Sequence, residues 1–563
     1  MARRLVSHAL VLLVTLVACW PALRGSFVYD DEYYVVRNPA VSGESSPWST
    51  GLGDPSQALW RPLTVATYAA QWQGPGEAGP FRAADLTLHA AVALALFELG
   101  LALGLGTGGS LAAALLFAVH PVHAEAVAWI SGRAELLAAL CVLLAWRCHL
   151  SDAKVAAWAS ALFLAAGLLS KENAVLAPLL FAVIDRGRRS VRPVPWRRLA
   201  ALGAVVLAVL AARSAVLPQQ LPGDTPFGDL SLPARVLVAA NIAGRACRLL
   251  AWPHPLRVFY PRQEFTHADG AWLAAAAACL VLVIGLRRRQ PLASALLLCV
   301  PLSLLTVLNL LPIGATFAER FLYLPSAFAC LAAGALLAAR ARAERRSGAG
   351  LGVSILLPVL ALAACVPLCR QATAAFHDDL SLWAQAAAVA PEVAHARYNH
   401  GYFLDAAGRH VTEDTDRPSA ADELSQSLRL DPHHRYAGFA HQLLGNLALQ
   451  PQSRRLPDPA TAAWHYRAAL QAQPTLVEAR MNLAALALSA PAVVDRDEAL
   501  AVLAGVTVSA GASASQRQSA QALRLQLLLP PPEPAGAPPG AGADGAGGPG
   551  PASPTGTSSP DGS

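Results

Sequence analysis

Residues 271–289 read AWLAAAAACLVLVIGLRRR. From Ala271 to Leu286 no side chain is charged, and Arg287, Arg288 and Arg289 close the run. A helix crossing a bilayer core needs about 20 apolar residues, with a lower bound near 17. Arginines clustered beside such a run mark its cytoplasmic flank. The pattern recurs from Leu5 to about Arg370, with basic clusters at Arg3-Arg4, Arg147 with Lys154, Arg186 to Arg198, and Arg340 to Arg346. The chain is therefore an integral membrane protein over its first two thirds.

Composition agrees. The 563 residues are 55% hydrophobic and 14% charged, whereas a soluble domain carries about 25% charged residues. The net charge of +6 belongs to arginines beside the apolar runs, so topology accounts for it and no nucleic-acid partner is implied. The nine cysteines lie almost entirely in apolar stretches and form no CxxC pair. They read as packing residues rather than a disulfide framework. Arg3-Arg4 followed by Leu5 to Leu23 mimics a signal peptide, but the many runs that follow favour an uncleaved first span.

Threading runs between basic clusters predicts about eleven crossings, at 5–23, 85–105, 109–121, 134–150, 155–170, 174–185, 199–216, 271–286, 291–311, 321–339 and 351–370. Ala234 to Trp252 resists this scheme because it carries Arg235, Asn241, Arg245 and Arg248. It reads as an amphipathic helix lying at the outer interface. Every polar motif below, and everything after Arg370, then falls on the extracytoplasmic side: a bacterial periplasm, or the lumen of the endoplasmic reticulum.

The predicted fold class is all-α. A polytopic membrane bundle at 1–372 is followed by a soluble helical-repeat domain at 373–528 and a disordered Pro/Gly/Ala/Ser-rich tail at 529–563. In the soluble third, Pro391, Pro432 and Pro474 each close a helix. Small-residue patches follow at Tyr398 to Gly401, Leu444 to Ala448 and Met481 to Ala484. This resembles about three tetratricopeptide repeats stretched by polar insertions; such stacks bind peptides or partner proteins on a concave face.

Four motifs interrupt the apolar runs. Ionisable groups at bilayer depth cost at least roughly 2.5–3.5 kcal/mol each, so they are functional candidates by default. After the first run stands Phe27-Val28-Tyr29-Asp30-Asp31-Glu32, whose carboxylates suit a general base or a divalent cation. A bare acidic triplet is otherwise a solvated loop. Next comes His120-Pro121-Val122-His123-Ala124-Glu125, with Arg133 beyond it. That spacing could hold zinc, but no further His or Cys partner stands out, so capping and orienting a buried network is the better reading. Ser170-Lys171-Glu172-Asn173 and Ala318-Glu319-Arg320-Phe321-Leu322-Tyr323-Leu324-Pro325 are the other two. Their charges read either as structural ion pairs or as a site for an anion, and lysine or arginine near a bilayer surface also simply snorkels.

The order Asp30-Asp31, Asn38-Pro39, Arg61-Pro62-Leu63-Thr64, the His120 to Arg133 segment, Ser170-Lys171-Glu172, Ala318 to Pro325 and then repeats resembles the protein O-mannosyltransferases. These join a multi-span membrane domain to C-terminal tetratricopeptide repeats and have bacterial relatives. More distantly it is similar to the wider GT-C glycosyltransferases. The resemblance reaches about residue 490, and departs in its few, interrupted repeats and its low-complexity tail, so the acceptor stays open among protein, glycan and lipid.

The resemblance implies a sugar donor on a polyprenyl phosphate, drawn from the membrane lipid. It implies an extracytoplasmic hydroxyl acceptor, for which a protein or peptide engaging the repeats is the leading candidate, and a single inverting displacement. The base maps to Asp30 or Asp31, with Glu125 placed to orient either the acceptor or His123. A phosphate leaving group needs charge neutralisation, and Arg133, Lys171 and Arg320 suit it. Glu32, His120, His123, Glu172 and Glu319 fall in supporting places. No cofactor is specified and no metal ligand set is assigned. Two other classes compete: a non-catalytic membrane scaffold whose repeats recruit proteins, and a transporter or flippase. The latter binds near the bilayer midplane, whereas these motifs gather toward one face.

Overall fold

The computed structural model describes residues 2–48, 59–74, 76–188, 193–217, 225–348, 352–410, 418–450, 456–509 and 511–529. The expected disordered tail lies outside them from residue 530 onward, and most of the two polar insertions does too. Every regular element among the described residues is helical. The chain forms two compact units, residues 1–457 and 458–563.

The first unit is a membrane-helix bundle with helical hairpins appended. Five helices are long and apolar enough to cross a bilayer: Ala2–Leu23, Gly79–Ala102, Trp196–Val216, Glu319–Ser347 and Gly352–His377. The shortest has 21 residues, which at 1.5 Å per residue rises about 31 Å. A bent pair, Gly106–Ala118 with Pro121–Ala128, would make a sixth. The other expected crossings fall on shorter helices, among them Arg133–His149 and Lys154–Ser170 with 17 residues each and Ala177–Gly187 with 11.

Glu319–Ser347 is the central helix, burying Tyr323, Leu324, Ala327, Phe328 and Leu331. It crosses Gly106–Ala118 at small residues: a Cβ on Gly334 would meet the Gly109 carbonyl oxygen at 2.4 Å, so only glycine permits this approach. Gly352–His377 instead leaves Ile355, Leu356, Leu357 and Leu360 exposed, the apolar surface that a rim helix presents to lipid.

The polar motifs sit where helices break. Pro121 lacks an N–H and pushes the preceding residue out of helical geometry. His120 is accordingly extended (φ −68°, ψ 120°), and the helix pair bends by 52°. Lys171 is extended too (φ −158°, ψ 141°) between Lys154–Ser170 and the turn Glu172–Leu176.

The segment expected to lie at the interface forms the helix Leu232–Ala251. Part of its polar face turns into the protein. Asn241 Nδ2 donates to the carbonyls of Phe265 (3.0 Å) and His267 (2.8 Å), and Arg245 pairs with Glu264 beneath the Tyr260 ring.

The hairpins begin with Asp379–Val389 and Ala394–Ala406, then Ala420–Leu430 and Ala437–Leu449. In the second unit Pro459–Ala472 pairs with Val477–Ser489, and Arg496–Thr507 with Ala514–Leu528. The last hairpin is one more than the repeat reading provides. Short polar side chains cap these helices: Asp378, Asp458 and Asp495 each accept a backbone N–H of the first turn, and Ser419 and Ser513 form capping boxes.

Candidate active site

Beyond Leu23 the chain passes Gly25, whose φ is +126° and whose position leaves no room for a Cβ against the His377 backbone. Ser26 N–H donates to the His377 carbonyl at 2.9 Å. The first loop is thereby laid along the start of the hairpin region. Tyr29 follows in the left-handed region (φ +56°), a strained place for a bulky residue, costing about 1–3 kcal/mol. Its N–H donates to Asp379 Oδ1 at 2.7 Å, and its ring packs against Trp129 and Trp383, centroids 5.6 Å from each.

The two adjacent aspartates then have different surroundings. Asp31 is fully buried. Its Oδ1 accepts from the Ser131 hydroxyl (2.5 Å) and N–H (2.8 Å), and its Oδ2 from the Val28 N–H (3.1 Å). Burial raises its carboxyl to about 6, and these donors pull the other way. Asp30 is half-buried and its carboxylate has no hydrogen-bond partner among the described residues. Burial pushes it above the ordinary carboxylate range; Arg320 opposes that, while Asp379 and Glu125 add to it. Glu32 is half-exposed and pairs with Arg37 at 2.8 Å, away from this cluster.

The elbow after Pro121 carries Glu125. One of its oxygens accepts the Arg320 N–H at 2.8 Å and the other takes the Arg320 guanidinium. That guanidinium lies 4.8 Å from the centre of the Trp129 ring and 5.2 Å from that of Phe321. Lys171 approaches the same Phe321 ring, 5.3 Å from its centre, and pairs with the buried Glu135. Glu135 also accepts from Asn173 Nδ2 at 3.1 Å. Glu172 takes Arg61 through two hydrogen bonds, 3.0 and 2.6 Å, and Thr64 Oγ1 donates to the Ser170 carbonyl at 3.0 Å. Glu319 accepts from the Tyr260 hydroxyl (2.5 Å) and the Arg257 N–H (2.6 Å). A crevice bordered by Glu125, Glu319, Arg257, Phe376 and Gln385 opens beside this cluster.

The fold thus brings Asp30, Glu125, Arg320 and Lys171 into one charged cluster in which both cations approach the Phe321 ring. Arg133 is drawn elsewhere: it is buried, bound to Asp85 at 2.5 Å, to Gln71 at 2.6 Å and to the Phe81 carbonyl at 3.0 Å. His120 Nε2 lies 3.1 Å from the Leu250 carbonyl, and His123 Nε2 lies 2.7 Å from Ser326 Oγ. Among the described residues no three His, Cys, Asp or Glu side chains are set to hold a metal ion.

The motif reading did not single out Asp85, Glu135, Ser131, Asp379 or, as a site residue, Arg61. Glu135 and Asp85 carried a usable signal, a carboxylate inside an apolar run. Ser131 and Asp379 carried none, because only tertiary packing brings them to the first loop.

No family model matches the chain, and no solved structure matches it. Curated proteins do. A Drosophila melanogaster protein named protein O-mannosyl-transferase Tmtc2 is 29% identical over 280 residues, covering 44% of this chain and 30% of the relative. A Caenorhabditis elegans protein O-mannosyl-transferase is 24% identical over 437 residues, 73% of this chain and 61% of the relative. Mouse protein O-mannosyl-transferase TMTC1 is 40% identical over 139 residues, 22% of this chain and 14% of the relative. Over these stretches the chain is similar to proteins named protein O-mannosyl-transferases. It spans less than two thirds of the length of each of these relatives. The resemblance carried by the motif order has its counterpart in these alignments.

Proposed function

We propose that the chain is a membrane glycosyltransferase that moves a sugar, mannose, from a polyprenyl-phosphate donor to a serine or threonine hydroxyl of a protein on the extracytoplasmic side. The observation that carries this reading is the free Asp30 carboxylate beside the Glu125–Arg320 pair. Asp30 is the base. The acceptor oxygen attacks the anomeric carbon, the carbon–oxygen bond to phosphate breaks, and the configuration inverts. The acceptor proton passes to Asp30 and the polyprenyl phosphate departs as an anion.

A raised carboxyl suits this work, because a general base is most effective when its pKa approaches the working pH. Arg320 and Lys171 receive the phosphate charge across Phe321, and such preorganised cations are worth most in a site with little water. Glu125 holds the Arg320 backbone and guanidinium in place. Arg133, satisfied by Asp85, positions the bundle rather than the phosphate. Residues 1–372 carry the chemistry in this reading. Residues 373–528 receive the acceptor, with Asp379 reaching from the first hairpin to the reactive loop. Supporting this are the relatives named protein O-mannosyl-transferases and the gathering of three motifs around one carboxylate.

The test is transfer by the purified full-length chain from polyprenyl-phosphate mannose to an acceptor protein. Product requiring the donor, and absent with Asp30→Asn, supports the reading. Equal product from Asp30→Asn and the parent removes it.

A further inference from the structure

Two buried polar atoms at the charged cluster have no partner among the described residues: Trp129 Nε1 and Asn173 Oδ1. Both residues are more than nine-tenths buried, Trp129 at 4% exposure and Asn173 at 8%. A buried polar group left unpaired costs about 1–3 kcal/mol, so native proteins rarely leave one without a reason. The orientation of the Asn173 amide is set by chemistry: its Nδ2 must face the Glu135 carboxylate, 3.1 Å away, which leaves Oδ1 as the open acceptor. Trp129 has one polar atom, a donor.

Their placement is specific to the cluster. The Trp129 ring underlies the Arg320 guanidinium. Asn173 shares Glu135 with Lys171. Arg320 and Lys171 stand 5.2 and 5.3 Å from the centre of the same Phe321 ring. One unpartnered buried donor and one unpartnered buried acceptor therefore lie on residues that touch Arg320 and the partner of Lys171. A glycosyl phosphate has the matching chemistry: anionic oxygens for the cations, an oxygen lone pair for the indole, and hydroxyl protons for the carboxamide.

We propose that Asn173 and Trp129 form the sugar-reading part of the donor site, Asn173 Oδ1 accepting from a sugar hydroxyl and Trp129 Nε1 donating to a donor oxygen. This rests on the proposed function, since it takes the cations as the phosphate site. A site built to hydrogen-bond a hydroxyl discriminates against the analogue lacking it, because its own polar group is then left unpaired.

The test uses full-length protein carrying Asp30→Asn, so that binding is measured without transfer. Affinity is determined for polyprenyl-phosphate mannose and for its monodeoxy analogues, alone and with Asn173→Ala or Trp129→Phe added. The indole replacement keeps an aromatic ring under Arg320, so it serves if the alanine variant does not fold. The Asp30→Asn protein should prefer the full sugar over one deoxy analogue by about 10-fold, and Asn173→Ala should erase that preference. Trp129→Phe should weaken every donor by a similar factor. Unchanged affinities and unchanged preferences in both variants overturn the subsite. Because the assay needs no turnover, that failure is distinct from a parent chain that binds donor and transfers nothing, which would count against the proposed transfer and leave the subsite standing.

Discussion

Ser131 holds Asp31 with two donors on one oxygen, its hydroxyl at 2.5 Å and its backbone N–H at 2.8 Å. A hundred residues of sequence separate them, and the contact gives the two neighbouring aspartates different surroundings. Asp31, with a third donor from Val28, is an anchor. Asp30 has no such donors among the described residues and feels the charge of Arg320.

The two asparagine substitutions should therefore fail differently. Asp30→Asn should lower transfer by about 10²–10⁴-fold with the thermal transition unchanged. Asp31→Asn must turn an NH₂ toward either the Val28 or the Ser131 N–H, and should destabilise the loop by about 1–3 kcal/mol. Initial rates together with thermal unfolding in detergent separate the two. Equal rate loss at unchanged stability in both variants would remove the distinction.

Transfer should fall with acid at a higher pH than an ordinary carboxylate of about 4 would give, because burial raises Asp30. The sign of each neighbour is fixed. Asp379 raises Asp30, so Asp379→Asn should move the acid limb to lower pH, while its remaining amide oxygen can still accept the Tyr29 N–H. Arg320 lowers Asp30, so Arg320→Gln should move the limb to higher pH. Profiles of kcat against pH check both, and movement in the opposite direction would place the titrating group elsewhere.

Lys171 is 6% exposed and its partner Glu135 2%. Lys171→Met leaves a buried carboxylate uncompensated, and breaking such a pair costs about 3–5 kcal/mol. Adding Glu135→Gln should recover most of the stability. It should not recover use of the polyprenyl-phosphate donor, since the cation is still missing. Recovery of both would make Lys171 a structural residue only.

A reporter fused after Arg346 should read cytoplasmic and one after Ala390 extracytoplasmic. The helix Gly352–His377 stands between the two points and has 26 residues, and arginines cluster before it. A cytoplasmic signal at Ala390 would take the hairpins away from any outer acceptor.

Sequence alone determined that the chain is helical, that it carries runs apolar enough to cross a membrane and where proline breaks or closes a helix, although the helix Glu319–Ser347 outruns the expected 321–339 and Pro291–Ser303 falls short of the expected 291–311. Those properties come from neighbours along the chain: hydropathy sums over about 20 residues, and proline and capping side chains act within one turn. Pro121 shows this, since the bend that presents Glu125 follows from its missing N–H. The motif order was legible too, because the residues lie at breaks in otherwise apolar runs. Tertiary structure alone decided their partners. Neighbouring side chains are alike in sequence, yet Asp30 and Asp31 differ because Ser131 reaches only one of them. Arg133 and Arg320 read alike as phosphate ligands, yet Asp85 encloses the first while Glu125 holds the second at the cluster. A carboxylate's role depends on which donors arrive within about 3 Å, and those donors come from segments up to hundreds of residues away.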